Sequence, residues 1–557
     1  MKNNRREFLQ KAGLLATATG LASALPASVS AAPSPQGKPV VTASANEAVA
    51  VTTSGKVRGY IRNGIYTFKG IPYGANTAGK NRFMPPVKPE PWAGVKDCLV
   101  YGPISPQKIN TGWSQQEYGF LYQWVDGYQN EDCLRLNVWS QGINDGKKRP
   151  VMFWIHGGGF FSGSSQEHPS YDGENLSKLG DVVVVSINHR LNIFGYLDLA
   201  DYGSQFASSA NVGMLDIVAS LEWVRDNIGN FGGDKDNVTI FGQSGGGTKV
   251  ITLMAMPSAK GLFHRAISQS NSIVQVATHE YATQITAIVL TELGISKENI
   301  DKIQEVSPLQ LLAALAVAEK KMGGAVPSGV GRSGLQPVVD GRILPAHPFD
   351  PTASAISAHI PFMVGTTRNE ASASIDNAPL ENLDEEGLKK SFSDKYGANG
   401  ESFYKVIRKV HPDVKPVEIL SFLSAQNPMA YLQAERKVAQ NAAPVYLYMF
   451  AWHTPVLDGR PRSFHCSEIP FAFANTNRCE NYTGDSAEAR KLANQMAMAW
   501  ISFARTGNPN HNGLPKWPSF NEQKGAMMIF NNQSTVRVDP DHEARELLQR
   551  IFYNKEV

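Results

Sequence analysis

Gly242-Gln243-Ser244-Gly245-Gly246 places a serine among glycines, directly after the apolar run Val238 to Phe241 and shortly before Val250 to Met254. A serine on a sharp strand-to-helix turn takes strained backbone angles, and small residues two before and two after it leave room for neighbouring chain. Its Oγ then stands above a sheet at the positive end of a helix, a position suited to attack on a carbonyl. Ordinary turns of glycine-rich chains also contain Gly-x-Ser-x-Gly; the strand pattern before this one gives it its meaning. A hydroxyl attacks when an imidazole takes its proton and a carboxylate orients that imidazole. Twelve histidines compete for the first role, and a histidine drawn at random is more often structural or superficial. The developing oxyanion also needs donors, which backbone N–H groups supply without reorganisation where glycine lets them approach. His156-Gly157-Gly158-Gly159-Phe160 offers such a run immediately after Val151 to Ile155. The competing reading of these glycines is a phosphate loop, and no Gly-Lys-Ser/Thr follows to support it.

These groups need a sheet to hold them. Val151 to Ile155, Val182 to Ile187 and Val238 to Phe241 are near-continuous apolar and β-branched runs, which predicts parallel strands covered on both faces. Met214 to Ile228 carries Leu215, Val218, Leu221 and Val224 at helical spacing. Strand, helix and strand then form a right-handed parallel βαβ unit. Upstream, Val57 to Gly59 and Ile65 to Phe68 read as short strands about the turn Arg62-Asn63-Gly64. Downstream, helical stretches at Thr283 to Leu293 and Leu309 to Met322 alternate with glycine- and proline-rich connections near Gly323 to Gly334. Such insertions serve either as pocket walls or as surface packing. Val445 to Trp452 and Ala526 to Phe530 are further strands, the latter near a sheet edge, and Ala544 to Phe552 is the last helix. The fold class is α/β, a large, mostly parallel sheet with helices on both faces, and neither a repeat nor a linker marks a second domain.

Phe231-Gly232-Gly233 followed by Asn237 to Gly246 is similar, over sixteen positions, to the active-serine signature of type-B carboxylesterases, the family that includes cholinesterases. Phe68 to Gly74, Arg82-Phe83, Glu131 to Leu134, Asn188 to Leu191 and Pro337 to Gly341 extend the resemblance from about residue 49 to 552. It implies an α/β-hydrolase fold and a carboxylic ester hydrolase with a Ser-His-Glu triad, acting on a small-molecule ester and water with no cofactor and no metal. On this resemblance Ser244 is the nucleophile and His465, within Phe464 to Phe471, is the base. Glu370, closing Val364-Gly365-Thr366-Thr367-Arg368-Asn369-Glu370, is the acid, and the N–H groups of Gly158, Gly159 and Gly245 are the oxyanion donors. His156, the chief rival base, falls to shaping the oxyanion loop. The order serine, acid, histidine is that of the fold, and glutamate suits the acid position. The competing reading of Glu370 is a loop glutamate paired with Arg368. Asp340 and Asp376 are weaker alternatives, the first explained as a turn residue before Gly341.

Some residues depart from the family pattern. Gln243 stands where many relatives carry glutamate, which removes a negative charge beside the triad and disfavours cationic choline esters. Cys133 keeps its Glu-Asp-Cys-Leu context, but Ser105 occupies its usual partner's place. Cys98 is the substitute candidate for a disulfide with Cys133, and Cys466 with Cys479 is a second candidate pair. Trp113, Tyr118, Phe120, Tyr122, Trp124 and Tyr128 lie in the segment from which relatives build the gorge wall. They either line a pocket for aryl or medium-chain esters or pack into the core. A catalytically silent binding protein is the alternative class, since this fold also serves adhesion; Ser244, Glu370, His465 and the glycine run all standing in place argue against it.

The chain has 557 residues, 42% of them hydrophobic, enough for a large core. Lys plus Arg (53) nearly balance Asp plus Glu (50), so the net charge of +3 gives no sign of a nucleic-acid partner. After the N-terminus no apolar run approaches the roughly 20 residues that cross a bilayer, so no stable membrane anchor is expected. The four cysteines lack zinc-site spacing. Asn4-Arg5-Arg6-Glu7-Phe8-Leu9, the small and apolar stretch Ala12 to Leu25 and Val29-Ser30-Ala31 resemble a twin-arginine export signal over 1–31. The competing reading is a disordered basic tail. Residues 32–48 read as a flexible lead-in and 49–557 as one hydrolase domain, exported to the periplasm or beyond.

Overall fold

The computed structural model describes residues 39–108, 116–125, 127–323, 334–521 and 525–554. Its main sheet has twelve strands. The first six are β1 (Val41–Thr42), β2 (Tyr60–Arg62), β3 (Ile65–Pro72), β4 (Arg135–Ser140), β5 (Arg149–Ile155) and β6 (Val183–Ile187). The others are β7 (Gly233–Gln243), β8 (Arg265–Gln269), β9 (Phe362–Thr367), β10 (Val445–Phe450), β11 (Ala526–Phe530) and β12 (Thr535–Val538). They lie in the order β1-β2-β3-β4-β6-β5-β7-β8-β9-β10-β11-β12. The run from β6 to β11 is parallel, and antiparallel strands close both edges. This is the α/β-hydrolase arrangement expected from the sequence.

The hairpin turns on Asn63 and Gly64, at φ 49° and 82°, the left-handed pair that a two-residue turn between twisted strands requires. The strand paired with Ile65 to Phe68 is therefore Tyr60–Arg62 and not Val57 to Gly59. Gly55–Arg58 instead pairs with Val49–Thr52 in a separate three-stranded sheet. Val41–Thr42, inside the stretch read as a flexible lead-in, pairs with β2 at the sheet edge; its β-branched residues favour a strand that the surrounding alanines and serines mask. The segment 1–31 read as an export signal lies outside the described residues.

The expected βαβ unit is present with one refinement. Helix α1 (Val212–Asn227) connects β6 to β7, but the two strands are not neighbours, because β5 pairs in parallel with both. Period-2 alternation along these strands divides the core. Val151, Phe153, Ile155, Val183 and Val185 enter one apolar cluster, while Met152, Trp154, Val184 and Phe241 enter another. Every residue of β5 and β6 is buried, as strands covered on both faces must be. Among the described residues no helix is long and apolar enough to cross a membrane.

Both disulfide expectations are corrected: Cys98, Cys133, Cys466 and Cys479 are free thiols. All four are buried, the first pair in one apolar cluster and the second in the other, and Cys466 also donates through Sγ to Gln243 Oε1 at 3.3 Å. Trp113 and most of the connection near Gly323 to Gly334 lie outside the described residues.

Candidate active site

β7 ends at Gln243 and helix α2 (Gly245–Leu253) begins two residues later. Ser244 between them sits at φ 57°, ψ −123°, a conformation that side-chain-bearing residues hold only where the surroundings enforce it. Its N–H donates to the Gln269 carbonyl at the end of β8 at 2.8 Å, and its carbonyl accepts from Thr248 at 3.1 Å. Gly246 is required by packing, since a Cβ there would stand 2.1 Å from the Ile155 carbonyl oxygen. The turn of the helix thus lies directly on the end of β5.

The glycine loop leaves β5 at that same point. Gly158 and Gly159 have φ of 76° and 61°, and their half-buried backbone borders the site. A Cβ on Gly245 would lie 2.4 Å from the main chain of Gly159, so the loop and the start of α2 touch backbone to backbone. Among the described residues, the N–H groups of Gly158 and Gly159 donate to no protein acceptor. His156 is buried, its Nδ1 3.0 Å from the Gly157 carbonyl oxygen and its ring stacked on His189 at 5.0 Å. Burial, with the nearby Lys249 cation, holds its pKa well below the ordinary imidazole range. A neutral ring tied to its own loop suits the shaping part and not that of a base.

The remaining residues arrive from strands further along the sheet, at the same carboxyl end as Ser244. Glu370 follows β9 in a short loop, and His465 lies in the turn before helix α3 (Ile469–Ala472). His465 Nδ1 pairs with Glu370 Oε2, while Glu370 Oε1 accepts from the Thr367 N–H at 2.8 Å. The two loops are laced together: Asn369 N–H donates to the Ser463 carbonyl at 3.1 Å. Ser463 Oγ donates to Asn369 Oδ1 at 2.9 Å, and Ser372 Oγ to the Pro461 carbonyl at 2.7 Å. Burial opposes the imidazolium of His465, but Cys466 and the Glu370 carboxylate outweigh it and hold the pKa well above the ordinary value. The other ring nitrogen, Nε2, lies 3.3 Å from the amide Nε2 of Gln243, next to Ser244. Among the described residues no hydrogen bond joins His465 to Ser244 Oγ; such bonds are often long in free enzymes and tighten with substrate bound.

The competing residues are engaged elsewhere. Arg368 faces Glu418 at 3.6 Å and does not pair with Glu370. Asp340 accepts from the N–H groups of Arg342, Ile343 and Leu344, as a turn residue does. Asp376 accepts from the Glu117 N–H at 2.7 Å. The aromatic segment divides: Phe120 is 47% and Tyr128 73% exposed, whereas Tyr122 is buried against Phe464 and Tyr482.

Two supports escaped sequence reasoning. Tyr122 Oη donates to the His465 carbonyl at 2.6 Å, a bond across 343 residues that no local pattern announces. Gln269, besides holding Ser244, donates through Nε2 to buried Glu468 at 3.2 Å and accepts from Trp500 Nε1 at 3.1 Å. Burial, then the nearby Glu370 charge, pushes the Glu468 carboxyl up to about 7. Among the described residues no group of three or more His, Cys, Asp or Glu side chains is placed to hold a metal ion.

Residues 45–547 match the family model described as the carboxylesterase family. The chain is 36% identical over 523 residues to the para-nitrobenzyl esterase of Bacillus subtilis (strain 168), covering 91% of this chain and 99% of that one. To the phenmedipham hydrolase of Pseudarthrobacter oxydans it is 33% identical, covering 89% and 98%. Among solved structures it is similar to an esterase from anaerobic Clostridium hathewayi that can hydrolyse aliphatic aromatic polyesters, with TM-score 0.80 and 38% identity over 92% of this chain and 99% of that one.

Proposed function

This chain belongs to the carboxylesterase family and hydrolyses carboxylic esters, and from that premise we propose that Ser244, His465 and Glu370 are its triad. Ser244 attacks the ester carbonyl as His465 takes its proton, and the N–H groups of Gly158, Gly159 and Gly245 bind the oxyanion. The protonated imidazole then gives its proton to the departing alcohol. Water, deprotonated by the same ring, cleaves the acyl-enzyme and restores Ser244, while Glu370 orients the ring and stabilises its charge. The observation that carries this reading is the pairing of Glu370 with a histidine whose other ring nitrogen reaches the serine turn through Gln243. A fluorophosphonate probe tests it. Stoichiometric labelling of the wild type and none of Ser244→Ala is expected; equal labelling of both proteins would remove Ser244 from the reaction.

Small or aromatic esters are the proposed substrates. The Phe161 ring lies against Gly159, so close that a Cβ there would meet its Cε1 at 2.4 Å, which puts an aromatic wall beside the glycine loop. The relatives named as a para-nitrobenzyl esterase and as an esterase that can hydrolyse aliphatic aromatic polyesters favour aromatic esters. Faster turnover of p-nitrophenyl and aryl esters than of long-chain triglycerides is expected, and the reverse order would refute the assignment. Export rests on Arg5-Arg6 and the small-residue stretch that follows. N-terminal sequencing of periplasmic or secreted protein that begins near Ala32 would support it; recovery of the intact chain from the cytoplasm alone would not.

A further inference from the structure

Lys249 lies on α2, five residues after Ser244, and is fully buried. A lysine there carries a charge into apolar surroundings, where burial penalises it. Its ammonium is directed at one feature. Nζ donates to the carbonyl of His156 at 3.1 Å and to that of Gly157 at 3.4 Å, the two residues that lead into Gly158.

We propose that Lys249 is a positioning residue of the oxyanion hole, holding the carbonyls of His156 and Gly157 inward so that the Gly158 N–H faces the reacting carbonyl. The Gly157 carbonyl and the Gly158 N–H belong to one planar trans peptide and point in opposite directions. Fixing the oxygen on the helix side therefore aims the hydrogen at the pocket. When Nζ is protonated, its charge on the oxygen also polarises that peptide, which strengthens its N–H as a donor. The loop needs such an anchor, because a run of glycines has more conformations to lose than any other sequence. His156 supplies a second hold on the same oxygen through Nδ1 at 3.0 Å.

Burial lowers the Lys249 pKa to about 7, so Nζ holds the two carbonyls through its N–H groups in either protonation state. The neighbouring imidazoles, His156 and His189, are kept neutral by burial and by Lys249 itself. Glu167, buried in the segment that follows the loop, attracts the ammonium from another side. The Phe160 ring centroid is 5.8 Å from Nζ, within reach of a cation–π contact.

This inference rests on the oxyanion reading above, and its test separates the two. Lys249→Met removes the donor and its charge while filling similar space; Lys249→Gln keeps an N–H donor. For p-nitrophenyl butyrate, kcat of Lys249→Met should fall about 100-fold with KM nearly unchanged. Affinity for a trifluoromethyl ketone, which mimics the tetrahedral intermediate, should fall in parallel with kcat/KM, and Lys249→Gln should recover part of both losses. A folded Lys249→Met with kcat close to wild type overturns the proposal, as does a kcat loss with unchanged trifluoromethyl ketone affinity. If Lys249→Met fails to fold, Lys249→Gln decides: its shorter amide should still lose kcat and trifluoromethyl ketone affinity in parallel, and unchanged kcat or a kcat loss with unchanged ketone affinity overturns the proposal. Wild-type protein that a fluorophosphonate does not label at Ser244 would sink the triad reading and this inference with it; normal labelling with normal Lys249→Met turnover sinks this inference alone.

Discussion

The two halves of the site are held in different ways. Around Ser244 the backbone itself is the scaffold: the turn between β7 and α2 lies on the end of β5, and Gly245 touches Gly159 with no side chain between them. Around His465 the scaffold is a lacework of side chains: Asn369, Ser372 and Ser463 tie two loops that no strand pairing joins, and Tyr122 reaches the His465 loop from a separate helix. Main-chain contact at the ends of parallel strands tolerates almost no change of volume, whereas hydrogen-bonded loops tolerate small losses one at a time. The first half should fail abruptly and without a change of pH dependence. The second should fail by degrees, and its central pair should move the pH profile.

The largest effect tests the second half at its centre. Glu370→Gln keeps the shape but removes the charge that orients the ring, and kcat should fall about 10⁴-fold, as for other triads that lose this carboxylate charge. The pH dependence carries the sign. On the proposed triad His465 works when neutral, so activity is present above its pKa and is lost as pH falls through it. That pKa is held above the ordinary 6.5 in the wild type, and without the carboxylate it must drop. The acidic limb of residual kcat/KM should therefore move to lower pH in Glu370→Gln. An unmoved limb would mean that Glu370 does not interact with the titrating base.

Next in size is the first half. Gly245→Ala would press a methyl group into the main chain of Gly159, 2.4 Å from the Cβ position, and displace the oxyanion donors. Losing one such donor lowers kcat by about 100- to 1000-fold. The acidic limb should stay in place, because nothing in this change touches Glu370 or His465. A shift of that limb comparable to the one in Glu370→Gln would erase the distinction between the halves.

The same contrast explains what was legible in the sequence. The serine turn, the glycine loop and strands β5, β6 and β7 are written in short local patterns, because backbone packing demands glycine at fixed offsets and parallel strands demand continuous apolar runs. His465 and Glu370 sit 95 residues apart, and only family resemblance singled them out from their competitors. Tyr122 was recognisable as one of a cluster of aromatics but not as a support for His465, since that depends on which loop folds against which. The disulfide pairings failed for a related reason. Closeness in sequence says little about whether two buried thiols are joined, and here all four are buried and free, Cys466 donating to Gln243 Oε1 at 3.3 Å. The edge strand at Val41–Thr42 was hidden by its alanine- and serine-rich surroundings.

The smallest expected effect probes the rim of the lacework. Tyr122→Phe keeps the ring against Phe464 and Tyr482 and removes the bond from Oη to the His465 carbonyl. One such neutral hydrogen bond is worth about 1 kcal/mol, and part of that will appear as freedom of the loop that carries the imidazole. kcat should fall about fivefold or less, with KM and the acidic limb unchanged, because the Glu370 pair and the other ties between the loops remain. Kinetics of Tyr122→Phe on one aryl ester across the pH range would measure all three quantities. A loss as deep as that of Glu370→Gln would show that the histidine loop depends on a single contact, and the two halves would then be equally brittle.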